Sequence, residues 1–295
     1  MNKRDARPND DWLIPDWPKP AGVRAIATTR SGGVSVGPFG MAAGAEGLNL
    51  GAYCGDAASA VVVNRQRVAS LLPAPPIWLR QVHGTRVHKI WQAPTVEELP
   101  QRNDQDGADG HLTALGTGPE GDGHLTGLGT EPEADAAVTD RRGVVLAVLS
   151  ADCLPVLLCD DKSQVIGVAH AGWRGLAAGV LDATVAAMRE RLPAGGDILA
   201  WLGPAIGPSA FEVGEDVLTA FEAVTAGATR RFRAGRVPGK WFADLPGLAV
   251  DQLSSCGVER VATSGLCTFS DADRFFSHRR DRVTGRQACL LWLER

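Results

Sequence analysis

The chain has 295 residues, 44% of them hydrophobic and 22% charged, and a net charge of −4. That is the composition of a globular protein with a large core, long enough for one large α/β domain or two small ones, and its acidity argues against non-specific nucleic-acid binding. No apolar run approaches the roughly 20 residues of a membrane span, the first residues lack the apolar stretch of a signal peptide, and six cysteines without a C-x-x-C pair fit reduced thiols, so a cytoplasmic protein without membrane partners is expected.

In chain order, residues 1–20 read as a polar tail and Val23–Thr29 as a first strand. Arg30–Phe39, R-S-G-G-V-S-V-G-P-F, is a glycine-rich loop with neither the phosphate-loop nor the dinucleotide spacing. Asp56 is placed to cap a helix running to about Leu72, which Pro73–Pro76 ends. Ile77–Leu79 and Arg86–Trp91 read as strands on either side of Arg80-Gln81-Val82-His83-Gly84. Within 101–133, Asp109–Thr117 recurs as Asp122–Thr130. This tandem copy, rich in Gly, Asp, Thr and Pro, reads as a duplicated, solvated loop insertion, with His111 and His124 as loop residues rather than metal ligands. Asp135–Thr139 then restarts the core.

The centre of the chain holds three short apolar, β-branched runs: Val144–Leu149, Leu154–Cys159 and Val165–Ala169. A hairpin turning between Asp161 and Lys162 places Cys153 directly across from His170, with Cβ atoms roughly 4.5–5.5 Å apart. A thiol and an imidazole at that distance share a metal, or work as nucleophile and base. Gly172–Gly175 leads into a helix over Leu176–Leu192, whose start, with Arg174, offers an anion site beside His170. Asp197–Leu202 is a strand opening onto Gly203–Pro208, a stiff loop suited to wall a pocket. Gly214–Val224 and Asp244–Cys256 are helical in pattern, and Val258–Thr263 and Gln287–Leu293 read as strands. Between those strands, the paired arginines of Phe275–Asp281 are either a solvated turn or an anion clamp. Strands interleave with helices without regular β-α-β alternation, which predicts an α/β fold with mixed sheets.

The motifs R-Q-V-H-G (80–84), A-D-C-L-P-V-L-L (151–158), A-H-A-G-W-R-G (169–175), L-G-P-A-I-G (202–207) and F-F-S-H-R-R-D-x-x-T-G-R (275–286) together resemble the YfiH family. The segments T-T-R-S-G-G-V-S-x-G-P-F (28–39) and N-L-G (49–51) also fit, so the likeness runs from about Val23 to Leu293. This family is also called the laccase-domain or polyphenol oxidase family, and its members are described as purine nucleoside phosphorylases. The resemblance implies a single α/β domain over 1–295, with mixed β-sheets packed between helices, and a zinc site of His83, Cys153 and His170. It implies phosphorolysis of adenosine, inosine or methylthioadenosine to free base and ribose 1-phosphate, with adenosine deamination alongside. Copper-dependent phenol oxidation is an older description of the family, and editing of peptidoglycan precursors has been attached to bacterial members. The sequence departs from the pattern in the longer Gly40–Gly47 loop, in the repeat, and in His278, which stands where an aromatic is common.

Three protein ligands leave a tetrahedral zinc one open position, where bound water ionises near neutral pH and could attack C6 of adenosine. Phosphorolysis instead asks for an anion site, for which Arg174, Arg30 and Arg279 are the candidates. Asn49 and Gln81 are candidate hydrogen-bonders to ribose or base, and Asp152 a candidate acid/base or ligand-orienting group. One Cys and two His also suit copper, although six histidines in all are few for a multi-copper centre. Cys153 as a free nucleophile with His170 as base is a hydrolase alternative, and a metal-stabilised binding module for a cell-wall precursor enzyme is a non-enzyme one. The expected partners are a purine nucleoside and phosphate, and the expected state is a monomer or small homo-oligomer.

Overall fold

The computed structural model describes residues 11–91, 128–193 and 196–295. Its strands are Val23–Ala27 (β1), Ser31–Ser35 (β2), Pro76–Ile77 (β3), Val87–Ile90 (β4), Ala136–Thr139 (β5), Val145–Ser150 (β6), Leu154–Asp160 (β7), Ile166–Ala171 (β8), Ile198–Leu202 (β9), Glu212–Gly214 (β10), Phe232–Ala234 (β11), Lys240–Ala243 (β12), Arg260–Thr263 (β13) and Gln287–Leu293 (β14). The helices are Ala58–Ala69 (α1), Trp173–Ala177 (α2), Val180–Arg189 (α3), Glu215–Glu222 (α4), Leu245–Ser255 (α5) and His278–Asp281 (α6).

The three central apolar runs become β6, β7 and β8, and every residue of β7 and β8 is buried. A six-stranded sheet runs β13-β9-β7-β8-β5-β4, and a four-stranded sheet runs β1-β14-β6-β3. Both are mixed: β13–β9, β4–β5 and β3–β6 are parallel, the other pairings antiparallel. Alternation along the strands assigns the two faces of the larger sheet. Leu154, Val156 and Leu158 join a core with Leu181, Val185 and Met188 of α3 and Leu248 and Leu253 of α5. Leu157, Cys159, Ile166 and Val168 instead meet Leu146, Val148 and Leu291 of the smaller sheet. Each such fully buried aliphatic side chain contributes about 1.5–3 kcal/mol, which holds the layers together. The α/β class with mixed sheets between helices is as expected.

Several local expectations are corrected. The 11–20 half of the supposed polar tail is docked: Trp12 and Trp17 are buried, and Leu13 and Ala27 exchange backbone hydrogen bonds of 2.9 Å. The glycine-rich loop contains β2, whose Gly33 lies so close to Gly47 that a Cβ would sit 2.0 Å from its carbonyl oxygen. Asp56 does not cap α1; Ala57 does, without a side-chain bond, while the Asp56 carboxylate accepts from Ser35 and Asn49. The helix expected over Leu176–Leu192 is broken into α2 and α3 by Gly179, at a left-handed φ of 93°. A three-stranded sheet, β10-β12-β11, has strands of three or four residues that carry no readable periodicity. Of the repeat at 101–133, residues 101–127, with His111 and His124, lie outside the described residues. Among the described residues no helix is long and apolar enough to cross a membrane.

Candidate metal centre

β7 and β8 pair with Leu154 opposite Ala171 and Pro155 opposite His170, so the expected pairing of Cys153 with His170 is off by two residues. Asp160 is the reason. Its carboxylate accepts the N–H groups of Lys162, Gln164 and Val165, and Ser163 turns through a left-handed φ of 59°, which moves the loop centre one residue on. A slip of two preserves the face of every side chain, so Cys153 and His170 still project together. Both follow the alternation that faces the smaller sheet, and they meet at the open end of the space between the two sheets.

His83 joins them from the turn before β4, at a φ of 63° that is uncommon outside glycine. One buried carboxylate builds that turn. Asp135 accepts from the backbone N–H groups of Val82 (3.1 Å), His83 (2.9 Å) and Gly84 (2.7 Å). The same group bonds His170 Nδ1 at 2.8 Å, which leaves Nε2 as the free donor atom of that ring. Burial pushes the Asp135 carboxyl up, but the His170 and backbone hydrogen bonds outweigh it and hold it below the ordinary range.

The ligand atoms of His83, Cys153 and His170 lie within 4.8 Å of one another, and Cys153 Sγ is 3.7 Å from His83 Nε2. Nitrogen and sulfur ligands on a tetrahedral zinc, at 2.0–2.1 and 2.3 Å, are about 3.6 Å apart, so this span fits an ion of that size. Burial raises the Cys153 thiol, yet the charge and hydrogen bond of His170 and the contact with His83 bring it down to about 6. Burial lowers His170, but the Cys153 thiolate and Asp135 bring it up to about 9. Cys153 is thus held as a thiolate, the form that binds metals. The glycines of A-H-A-G-W-R-G permit the approach: a Cβ on Gly172 would sit 2.7 Å from the His83 ring and 3.0 Å from Cys153 Sγ.

A cavity of about 440 Å³ opens over the trio, within the range of small-molecule sites. Its lining includes Arg174, Arg286, His278 and Tyr53, and no carboxylate among the described residues. Of the residues expected to touch substrate, Arg174 and Gln81 reach the wall. Arg174 is exposed, its guanidinium stacks 4.5 Å over the Trp173 ring, and it has no ion pair with an acid among the described residues. The helix behind it, α2, has only five residues and adds little dipole to the anion site expected there. Gln81 has both ends of its amide bonded at 2.8 Å to the Leu149 backbone, so it props the wall rather than reaching for a ligand.

Arg30, Asn49, Arg279 and Asp152 are spent elsewhere. Arg30 is buried, donates to the Gly40 and Ala272 carbonyls and stacks on Phe276. Asn49 Oδ1 accepts the N–H groups of Gly51 and Arg286, closing two loops together. The Arg279 guanidinium donates to the Glu212 carbonyl at 2.6 Å beside Phe211. Asp152, at a left-handed φ of 93°, accepts from the Thr268 hydroxyl (2.7 Å) and the Arg279 N–H (2.6 Å). It therefore fixes the 268–279 segment and the backbone ahead of Cys153, and is not aimed at the donor cluster. Asp135 is the functional residue the sequence reading passed over. Its only signal was a carboxylate set directly before an apolar strand.

A mixed α/β scaffold that gathers two imidazoles and a thiolate under a pocket edged by arginines defines a protein with a candidate metal centre. Residues 24–294 match the family described as multi-copper polyphenol oxidoreductase laccase, and the chain belongs to that family. It is 44% identical over 283 residues to a purine nucleoside phosphorylase of Pseudomonas aeruginosa, covering 96% of this chain and 98% of that one. The purine nucleoside phosphorylase YfiH of Escherichia coli is 41% identical over 283 residues, covering 95% and 98%. Among solved structures, a Neisseria meningitidis protein superposes with a TM-score of 0.78 at 40% identity, covering 97% of this chain and all 100% of that one. YlmD from Geobacillus stearothermophilus gives 0.77 at 31% identity, covering 96% of each chain.

Proposed function

We propose that the protein is a zinc-dependent purine nucleoside phosphorylase. The observation that carries this reading is the pocket in which the His83–Cys153–His170 trio and two arginines share a wall with no carboxylate among the described residues. In a chain of net charge −4, such a lining selects an anion. The name purine nucleoside phosphorylase carried by the relatives supports the nucleoside part of it, not the metal. Two imidazoles and one thiolate suit zinc, and three ligands leave a position open. Zinc held there would supply Lewis acidity at the pocket floor.

The chain's own residues supply the rest. Arg174 holds phosphate with Arg286 beside it, whose Nη1 is bound to the Thr284 and Gly285 carbonyls, Asp135 fixes the donor trio, and the pocket walls orient the nucleoside. In phosphorolysis a phosphate oxygen forms a bond to C1′ of the ribose while the C1′–N9 bond breaks. The base leaves with the electron pair and takes up a proton, giving free base and ribose 1-phosphate, or 5-methylthioribose 1-phosphate where the substrate is methylthioadenosine. Adenosine, inosine and methylthioadenosine are the proposed substrates. The open ligand position favours adenosine deamination as a second reaction, which needs water and no phosphate.

The family's description as a multi-copper laccase invites a copper phenol oxidase. A multi-copper centre needs several donor clusters, and the described residues hold one such group of histidine and cysteine ligands. The hydrolase alternative leaves His83 without a role, although it lies as close to Cys153 as a ligand should. All six thiols are free, which fits the reducing cytoplasm.

The test is metal analysis of the purified protein together with product analysis. About one zinc per chain is expected, with ribose 1-phosphate and free base appearing from inosine only when phosphate is supplied, and chelation stopping both. Several copper equivalents with oxidation of phenols and no base release would overturn the proposal.

A further inference from the structure

The single tyrosine of the chain, Tyr53, is 64% exposed and lines the metal-centre cavity. Its hydroxyl donates to Glu131 Oε2 at 2.7 Å. Glu131 is itself bound into the protein interior: its side chain is fully buried and pairs with Arg65 Nη1 at 3.1 Å. Arg65 is 1% exposed, donates from Nε to the Leu50 carbonyl, and lies 4.5 Å over the Trp78 ring. Burying two charges is costly unless geometry and extra hydrogen bonds compensate. Here Glu131 Oε2 also accepts the Gly129 N–H at 2.8 Å, and the one side chain it holds outside the buried pair is an exposed ring at the lip of a ligand cavity. A surface tyrosine with nothing to bind gains little from such a tether. A ring that must receive a flat ligand gains pre-organisation, because its rotamer is fixed before binding.

We propose that Tyr53 is the stacking face for the purine base, and that the Arg65–Glu131 pair is a positioning device that holds its ring over the cavity. The assignment rests on the nucleoside reading of the site and divides the pocket. The base lies along Tyr53, while phosphate is taken by the arginines. An aromatic ring receives any base by its π-face, so Tyr53 tolerates adenine and hypoxanthine alike and sets affinity rather than choice between them. The tether also marks the tyrosine itself: the hydrogen bond to Glu131, aided by burial, holds the phenol above its ordinary value of 10.0.

The experiment uses the full zinc-loaded chain and its Tyr53→Ala and Tyr53→Phe variants, with calorimetric titration of inosine, ribose 1-phosphate and inorganic phosphate, and zinc content measured on each. Loss of the ring in Tyr53→Ala should weaken inosine roughly ten- to a hundredfold. Ribose 1-phosphate, which has no base, phosphate and zinc content should stay as in the wild type. Tyr53→Phe keeps the ring and loses the tether, and should weaken inosine by no more than about fivefold. Equal inosine affinity in wild type and Tyr53→Ala overturns the stacking role, as does an equal loss for ribose 1-phosphate, which would signal a collapsed pocket lip. Failure of the parent reading shows earlier and separately, in a wild-type protein that binds phosphate but no purine nucleoside, and the Tyr53 assignment falls with it.

Discussion

Two buried polar networks stand a short way apart in this molecule, and both come from motifs that are conspicuous in the sequence. In the first, Asn64 Oδ1 accepts the Val34 N–H while its amide donates to Ser35 and to the Asn49 carbonyl. Asn49 in turn joins Gly51, Asp56 and Arg286. In this network each of these amide groups ends on another protein atom, even where Gly51 and Arg286 reach the cavity lining. In the second, Asp135 ties Val82, His83, Gly84 and His170 together, and the chain of bonds runs out at ligand atoms facing a cavity. The difference between scaffold and site is therefore in where the network ends. Residue type does not show it, since asparagines, aspartates and arginines serve both.

The comparison breaks most sharply at Cys153. Cys153→Ala removes the thiolate from the open network, and zinc content should fall from about one per chain to near none, with turnover abolished. Retention of zinc and activity would show that the cluster is not the metal site. In the first network, Asn49→Ala should do the opposite. It leaves the N–H groups of Gly51 and Arg286 without their acceptor, at about 1–3 kcal/mol for each buried group, so a stability loss of about 3 kcal/mol is expected in chemical denaturation. Zinc per folded chain should not change; a stable variant that instead lost nucleoside affinity would return Asn49 to the substrate-binding set.

Much of the architecture was legible because it is written in apolar spacing. The runs that became β6, β7, β8, β9 and β14 were each located to within about two residues, and they carry the core. What failed depends on single side chains. The two-residue register slip follows from one Asx-type turn at Asp160, and the helix break from one left-handed glycine at 179. The donor trio was readable because imidazole and thiol are scarce and the motifs place them. Arg30, Asn49 and Arg279 were misread for a related reason: a polar residue in a glycine-rich or arginine-rich stretch looks like a ligand-binding group, and only the folded chain shows that backbone carbonyls and N–H groups 10 to 240 residues away have already claimed it. Asp135 was invisible because its role lies in accepting three backbone N–H groups from a turn some 50 residues earlier.

Asp135→Asn sharpens the open network without removing a ligand. Replacing the carboxylate that orients a metal-binding histidine typically costs ten- to a hundredfold in metal affinity, and a competition titration with a chelator should show that loss. A pH signature accompanies it in the metal-free protein. The folded-state value of Asp135 is depressed below 3.8, so its stabilisation is present above 3.8 and is lost as pH falls through the folded value. The variant should lack that part of the acid limb. Unchanged zinc affinity would reduce Asp135 to a turn-former.

The smallest expected effect is at Arg174, and it tests which arginines face the substrate. Arg30 and Arg279 donate to carbonyls, whereas the Arg174 guanidinium lies on the pocket wall with, among the described residues, only the Trp173 ring against it. A charge-assisted contact to phosphate contributes about 1.5–3 kcal/mol, and exposure to water puts Arg174 at the lower end, so Arg174→Ala should slow phosphorolysis roughly tenfold. The loss should appear as a raised KM for phosphate and shrink as ionic strength rises, because salt already screens this exposed charge in the wild type. Deamination, which consumes only water, should fall far less. Arg174→Lys should restore part of the phosphate response, since the charge returns without the planar fork. The rival account is that stacking on Trp173 is the whole role of the side chain, seating α2 beside the metal centre. That account predicts equal losses in phosphorolysis and deamination and no rescue by lysine. Parallel measurement of base release and inosine formation from adenosine separates the two.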